Sequence, residues 1–461
     1  MEGFTDSLRA STAVQCSPSV NEKNLMRKID LRVIPILMLI LVASFLDRVN
    51  IGNALVFKLP KDLHLVGNQS NIALAIFFVP YILFEIPSNI FLKRLKPHVW
   101  LSGNVLAFGI ISVGQGFVQN YSGLLATRFF LGLAEAGIIP GSVYIISSWY
   151  KREEAQTRFA FFFSSVTVAN MFGGLLASAI GKMDGIRGYH AWRWVFILEG
   201  LATVVIGIIA FAFMPDFPEG VSWLTEEERS FVIARAGTDK HPDEPVTFRY
   251  VLKFVAEPKA IAAGLMYLGA AIVPTYTISY FAPTIVKTLG YSAVETQLHT
   301  VPPFAAALTL LLIVAYLSDR VELRSPFIVF AVALTIIGLA MLMTIHHHFP
   351  AQYAALFLFA MGVNTTGPLL TCWYVMNLRG HMERSVGPAW AISFGNCGGI
   401  IATFTFLATD APYYHMGSSL CMGMVALGSV AAAVYGLLLW KDNKRARMVA
   451  EDKQGLLCYS F

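Results

Sequence analysis

Apolar runs recur along the chain in windows near 33–55, 72–92, 99–118, 122–147, 157–180, 193–213, 259–282, 297–317, 326–345, 351–376, 388–408 and 417–440. Each is close to the ~20 residues that a helix rising 1.5 Å per residue needs to cross the hydrocarbon core of a bilayer. The pattern predicts twelve transmembrane helices. Between the sixth and seventh windows the chain turns polar over roughly 215–257 and carries Thr225-x-x-Glu228, a capping box that predicts a helix start outside the membrane. The expected organisation is an all-α membrane protein of two six-helix bundles. A tail spans 1–30, the first bundle 31–214, a central loop 215–257, the second bundle 258–440 and a second tail 441–461.

Composition narrows the function. Of 461 residues, 56% are hydrophobic and 14% charged, with a mean hydropathy of +0.60; soluble domains average about 45–50% and about 25%. An ordinary soluble enzyme is excluded. The net charge of +5 comes from scattered Lys and Arg without interleaved aromatic residues, so no nucleic-acid partner is expected. The polar first 30 residues hold no apolar core followed by a cleavage site, so no removable signal peptide is expected.

Orientation follows from basic residues near the span ends. With the N-terminus in the cytoplasm, that side holds eighteen without counting the central loop, among them Arg27, Lys28, Lys93, Arg94, Arg152, Arg158, Arg320, Arg384, Lys441 and Lys444. The other side holds six, Lys58, Lys61, Lys182, Arg187, Arg193 and Lys287. Both termini and the central loop are assigned to the cytoplasm. An offset of about 225 lays Gly173-Gly174 on Gly398-Gly399, the trace of a parallel repeat between halves that rock about a central site.

Four ionisable residues fall inside the first bundle's spans: Asp47 and Arg48 in span one, Arg128 and Glu135 in span four. Unpaired, each costs about 2.5–3.5 kcal/mol at mid-membrane, so the group requires partners or a wet cavity. Seven residues are almost two helical turns, which puts Arg128 and Glu135 on one face, about 10 Å apart. One reading pairs each acid with an arginine to hold spans one and four together. The other has the two arginines present their forks to an anionic substrate while Asp47 and Glu135 carry protons. Glu85 and Glu199 read as structural or gating ion pairs, the first within reach of Arg152 or Arg158, the second near Arg193. In the second half the polar candidates are Tyr276, Thr277 and Tyr280 in span seven, and Asn364, Thr365, Trp373 and Asn377 in span ten. Such aromatics and amides frame a substrate body.

Other features carry less. Asn68 and Asn120 head glycosylation triplets in expected external loops very close to the bilayer. The His346-His347-His348 run has no second cluster, and Cys16, Cys372, Cys397, Cys421 and Cys458 lack metal spacing, so no metal is expected. With no P-loop and no paired nucleophile and base, neither ATP nor covalent chemistry is indicated. The expected energy source is a proton gradient, with no cofactor.

Three segments carry a family resemblance. Phe45-Leu46-Asp47-Arg48-Val49-Asn50-Ile51-Gly52, Pro80-Tyr81-Ile82-Leu83-Phe84-Glu85-Ile86-Pro87-Ser88-Asn89 and Arg128-Phe129-Phe130-Leu131-Gly132-Leu133-Ala134-Glu135 resemble the fungal anion:cation symporters of the major facilitator superfamily, among them the allantoate and nicotinate permeases. Trp192-Arg193-Trp194, Leu198-Glu199-Gly200, Tyr316-Leu317-Ser318-Asp319-Arg320 and Phe394-Gly395-Asn396-Cys397-Gly398-Gly399 extend the likeness, which covers roughly 25–445. The resemblance implies a two-bundle fold, alternating access and proton-coupled import of a small organic anion across the plasma membrane. It also implies proton sites at Asp47 and Glu135 and carboxylate contacts at Arg48 and Arg128, with Asp319 and Arg320 in the gating machinery. Two departures stand out. Lys93-Arg94-Leu95-Lys96-Pro97-His98 replaces the glycine-rich Asp-Arg loop of sugar porters, and Trp373-Tyr374-Val375-Met376-Asn377 stands where many relatives have a Ser/Thr-Asn-Asn run. Two alternatives stay open: a proton antiporter exporting a metabolite or toxic compound, disfavoured because span five lacks a Gly-x-x-x-Gly-Pro pattern, and a nutrient receptor without net transport. The expected partners are a small anion, protons and the bilayer, with the chain a monomer.

Overall fold

A computed structural model describes residues 21–236, 248–288, 290–321, 323–345, 348–378, 380–405 and 414–450. Cys16, Cys458, His346 and His347 lie outside the described residues, as do most of both tails and the side chains of Lys93, Arg94, Arg152 and Arg384. The described chain is helical throughout, with no strand.

The first half contains α1 (Glu22–Val56), α2 (Gln69–Ala75), α3 (Phe78–Arg94), α4 (Pro97–Gln115), α5 (Tyr121–Glu135), α6 (Ile138–Trp149), α7 (Arg152–Gly181) and α8 (Ala191–Phe213). A central segment holds α9 (Glu226–Ala236) and α10 (Phe248–Val255). The second half contains α11 (Pro258–Met266), α12 (Val273–Thr288), α13 (Ala293–Val321), α14 (Ser325–Thr344), α15 (Phe349–Met376), α16 (Gly380–Thr403) and α17 (His415–Ala450). Ten stretches are long and apolar enough to span a membrane; the pair α2–α3 and the 24-residue α16 stand at the two remaining expected spans.

Three spans are interrupted where the sequence lacks a donor or a straight path. Span four breaks at Ala136-Gly137, because Pro140 has no N–H and its ring crowds the carbonyl four residues earlier. Glu135 is thereby the last residue of α5. Span seven passes through a π-helical turn, Tyr267–Ile272, just ahead of Pro274, and such turns gather at functional sites. Span two breaks between Ala75 and Phe78.

Outside the spans, Thr225 and Glu228 form the expected capping box reciprocally, at 3.0 and 3.2 Å. Glu228 also accepts Lys28 at 2.8 Å, and Arg235 pairs with Glu22, so α9 is docked on the start of α1. The halves meet along α7 with α13 and α15, α1 with α12, and α3 with α16. Of the buried charged residues, Arg48 and Glu85 bond across that seam.

Candidate functional site

Asp47 and Arg48 are consecutive, so they leave α1 about 100° apart and serve different neighbours. Arg48 faces the seam. Its Nη2 and Nε lie 2.7 and 3.2 Å from Glu135 Oε2, and neither side chain has any exposure. Ser44, one turn back on α1, donates to the same oxygen at 2.7 Å. The other edge of the guanidinium donates to the Tyr276 hydroxyl of α12, in the second half. Phe45, Phe77 and Tyr81 surround it at 4.9, 4.9 and 4.8 Å from ring centre to guanidinium carbon. An aromatic cage of this kind holds a cation in place of water.

Asp47 faces into the first bundle, where Ser112 of α4 donates to it at 2.7 Å. One turn on, Asn50 donates to Glu199 of α8 at 2.8 Å. Arg128 is buried and donates only to the Arg48 carbonyl, at 3.4 Å, while its Nε and one Nη have no hydrogen-bond partner among the described residues. The pairing of each acid with an arginine is therefore corrected: Glu135 has Arg48, and Asp47 has a serine.

Two further ion-pair expectations are corrected. Glu199 binds Asn50 rather than Arg193, which instead donates to the carbonyls of Gly116 and Val118 at 3.0 and 2.8 Å. Glu85 does not pair with Arg158, which is taken by Asp30 at 2.9 Å; the side chain of Arg152 lies outside the described residues, and Glu85 accepts from Ser393 of α16 at 2.9 Å, across the seam. In both cases a nearer neutral donor on an adjacent helix takes the carboxylate.

Beside the cage lies a small internal cavity of ≈ 50 Å³, lined by Phe45, Thr167, Tyr276, Asn364 and Asn396 among others. The Phe45 and Tyr276 rings are parallel to within 4°, with centres 6.2 Å apart, and Tyr280 stacks on Tyr276 at 5.5 Å. Asn364 accepts from Thr167 at 2.9 Å, joining α15 to α7. Tyr276, Tyr280 and Asn364 thus gather with the charges. Trp373 and Asn377 do not: Trp373 packs edge-on against Tyr435 of α17 at 5.0 Å, and Asn377 caps α15 by donating to the Trp373 carbonyl. Asp319 accepts from Thr157 across the seam, while Arg320 lies over the exposed ring of Tyr316. Sequence reasoning missed Ser44, Ser112, Asn50 and Ser393. Their signal was a hydroxyl or amide inside an apolar span, one turn from a charge on the same helix or facing one on the next.

The sequence profile of the Major Facilitator Superfamily matches residues 37–403. The chain belongs to that superfamily. It is a multi-pass membrane transporter of that fold, not an enzyme. It is 36% identical over 442 residues to the MFS-type transporter cnsO of Penicillium expansum, covering 92% of this chain and 85% of that protein. It is 30% identical over 439 residues to the high-affinity nicotinic acid transporter of Saccharomyces cerevisiae, covering 93% and 80%. Among solved structures, the proton:xylose symporter XylE superposes with a TM-score of 0.70 at 14% identity, covering 89% and 96%.

Proposed function

We propose that this transporter carries a small organic anion, a carboxylate of the nicotinate or allantoate kind, into the cell together with protons. In this reading it works as a monomer in the plasma membrane with both termini cytoplasmic. The observation that carries the proposal is a buried exchange point: Glu135 has one cation, Arg48, and Arg48 is shared with Tyr276 of the other half. A substrate carboxylate entering between the halves competes with Glu135 for the planar fork of Arg48, a geometry that favours two-point binding of carboxylates. The partly unpartnered Arg128 supplies a second cation to attract it. Glu135, released while fully buried, takes up a proton, because an unpaired carboxylate there is costly. Asp47 offers a second proton position on the far face of α1. One proton with a monoanion moves no net charge; two protons move one positive charge inward. The nicotinic acid transporter among its relatives supports the substrate class.

The test is uptake of labelled small carboxylates into proteoliposomes under an inward proton gradient, comparing the wild type with Glu135→Gln. The expected result is gradient-driven accumulation of one anion that is lost in the variant while binding survives. Efflux under the same gradient would establish export instead, and binding without flux a receptor.

A further inference from the structure

Behind α1, on the face turned away from the seam, three helices build a polar column inside the first bundle. On α1, Asp47 and Asn50 are three residues apart, and on α4 so are Ser112 and Gln115; on α8, an even span that runs the opposite way, Glu199 and Thr203 are four apart. At helical spacing each pair shares one face, and the pairs stack into two tiers about 5 Å apart. In the inner tier Ser112 donates to Asp47 at 2.7 Å, and Thr203 stands beside the same carboxylate. In the outer tier Asn50 donates to Glu199 at 2.8 Å. All six side chains are buried. Helices α4 and α8 close the column tightly, since a Cβ on Gly200 would lie 2.7 Å from the Val113 nitrogen.

The column is short of protons. Four of its oxygens have no hydrogen-bond donor among the described residues: Asp47 Oδ2, Asn50 Oδ1, Gln115 Oε1 and Glu199 Oε1. Against them stands one spare donor, the Gln115 amide nitrogen, and all five atoms are closed to water. Buried polar groups in folded proteins are matched in nearly all cases. One proton on each acid turns two of the four acceptors into donors and leaves two acceptors to receive them, so the count closes. Ionised, the two carboxylates would share a low-dielectric space, each raising the cost of the other's charge. The charged groups that act on Asp47 are Glu135 and Arg128 of α5 and, on Glu199, Asp47 itself. Arg193, on α8, is turned to the carbonyls of Gly116 and Val118. A hydrated cation does not fit where water does not, whereas a proton needs no cavity.

We propose that this column is a two-proton site in which Glu199 holds one exchangeable proton and Asp47 the other. It rests on the proton-coupled reading above for Asp47 and adds Glu199, which reaches α1 from behind. Each proton is taken from water at one membrane face, forming an O–H bond at Glu199 Oε1 or Asp47 Oδ2, and is returned to water at the other face with that bond broken.

The test is infrared spectroscopy of the full chain in liposomes during exchange from ordinary to heavy water, with no substrate added. A protonated carboxyl has a C=O stretch apart from those of carboxylates and amides, and the stretch moves down when deuterium replaces the proton. The wild type is expected to show one deuterium-sensitive carboxyl band that is lost in Glu199→Gln and a second that is lost in Asp47→Asn. Asn50→Ala keeps both acids but removes the donor to Glu199, and should move the Glu199 band to higher frequency while the Asp47 band stays. Monodisperse elution establishes that each variant is folded, and Asn50→Ala identifies the Glu199 band where Glu199→Gln fails that check. If Glu199→Gln removes no carboxyl band, the acid is ionised; if it removes one that heavy water never shifts, the proton is locked in place; either result overturns the proposal. Because no anion is present, an uptake assay that finds no proton-driven transport would refute the symport reading and leave this result standing.

Discussion

The guanidinium of Arg48 donates to Glu135 on α5 and to Tyr276 on α12, so one side chain belongs to both halves of the transporter. Arg48→Lys keeps the charge but removes the fork. Under the proposed exchange, KM for the transported anion should rise roughly tenfold, equivalent to about 1.4 kcal/mol, while the protein still folds; an unchanged KM in initial-rate uptake would remove Arg48 from the binding role. A different residue shows charge acting outside the membrane. Asp184 accepts from Lys58 at 2.8 Å, from the Ala191 N–H at the start of α8 and from His190. Lys58 foremost, with those donors, pulls its carboxyl down from 3.8 to about 2. A depressed folded value stabilises the fold above the unfolded one, so the contribution is complete above about pH 4 and fades as the pH falls toward about 2. Both side chains are more than a third exposed, which limits the effect to under ~1 kcal/mol. Asp184→Asn should lower the melting temperature by about 1 °C at pH 6, a difference that narrows as melts are repeated down to pH 3; a gap that widens in acid contradicts the assignment. At this scale the sequence located ionisable residues correctly as unusual but could not pair them. Glu85 and Glu199 went to a serine and an asparagine because partner choice depends on which helices touch, and no spacing along one chain encodes that.

Helices were the most legible level, since twenty apolar residues in a row leave the backbone little else to do in lipid. Their interruptions were less so. Pro140 and Pro274 were visible, but whether a proline bends, breaks or swells a helix depends on what refills the lost hydrogen bond. The glycines divide by what they let approach. A Cβ on Gly132 of α5 would lie 2.0 Å from the Phe77 carbonyl, within the first half. One on Gly52 of α1 would lie 2.9 Å from the Tyr280 carbonyl of α12, across the seam. Gly132→Ala should therefore destabilise the fold by about 1–3 kcal/mol, seen as a lower melting temperature and reduced yield. Gly52→Ala, wedging the halves where they must part and rejoin, should leave melting within a degree or two and reduce transport severalfold. Equal loss of stability in both would show that the seam is as rigid as the interior of a half.

For the whole molecule, the question is which contacts hold the centre shut. Toward the end of the molecule where α7 begins, Thr157 donates to Asp319, and deeper on that side Ser393 donates to Glu85. At the opposite end Asn71 donates to the Thr403 carbonyl at 2.6 Å. Every one of these bonds joins the first half to the second, and between them lies the ≈ 50 Å³ cavity, room for a few waters and not for an organic anion. Among the described residues the two halves are thus bonded to each other on both sides of the cavity, and a rocking transporter has to release these bonds one side at a time. Each end bond then biases a two-state equilibrium, and removing one shifts it by the strength of that bond, ~1 kcal/mol or about fivefold. Thr167 lines the cavity and is 1% exposed, so a cysteine there, in a background without the native thiols, reports access. Asp319→Ala should speed its modification by a charged, impermeant thiol reagent about fivefold from the Asp319 face alone, and Asn71→Ala should do so from the other face alone. The sidedness also fixes the orientation, since the positive-inside assignment puts the Asp319 face in the cytoplasm. Acceleration from both faces in either variant would mean a leak through the seam, and the two ends could not be the alternating gates of one transport cycle.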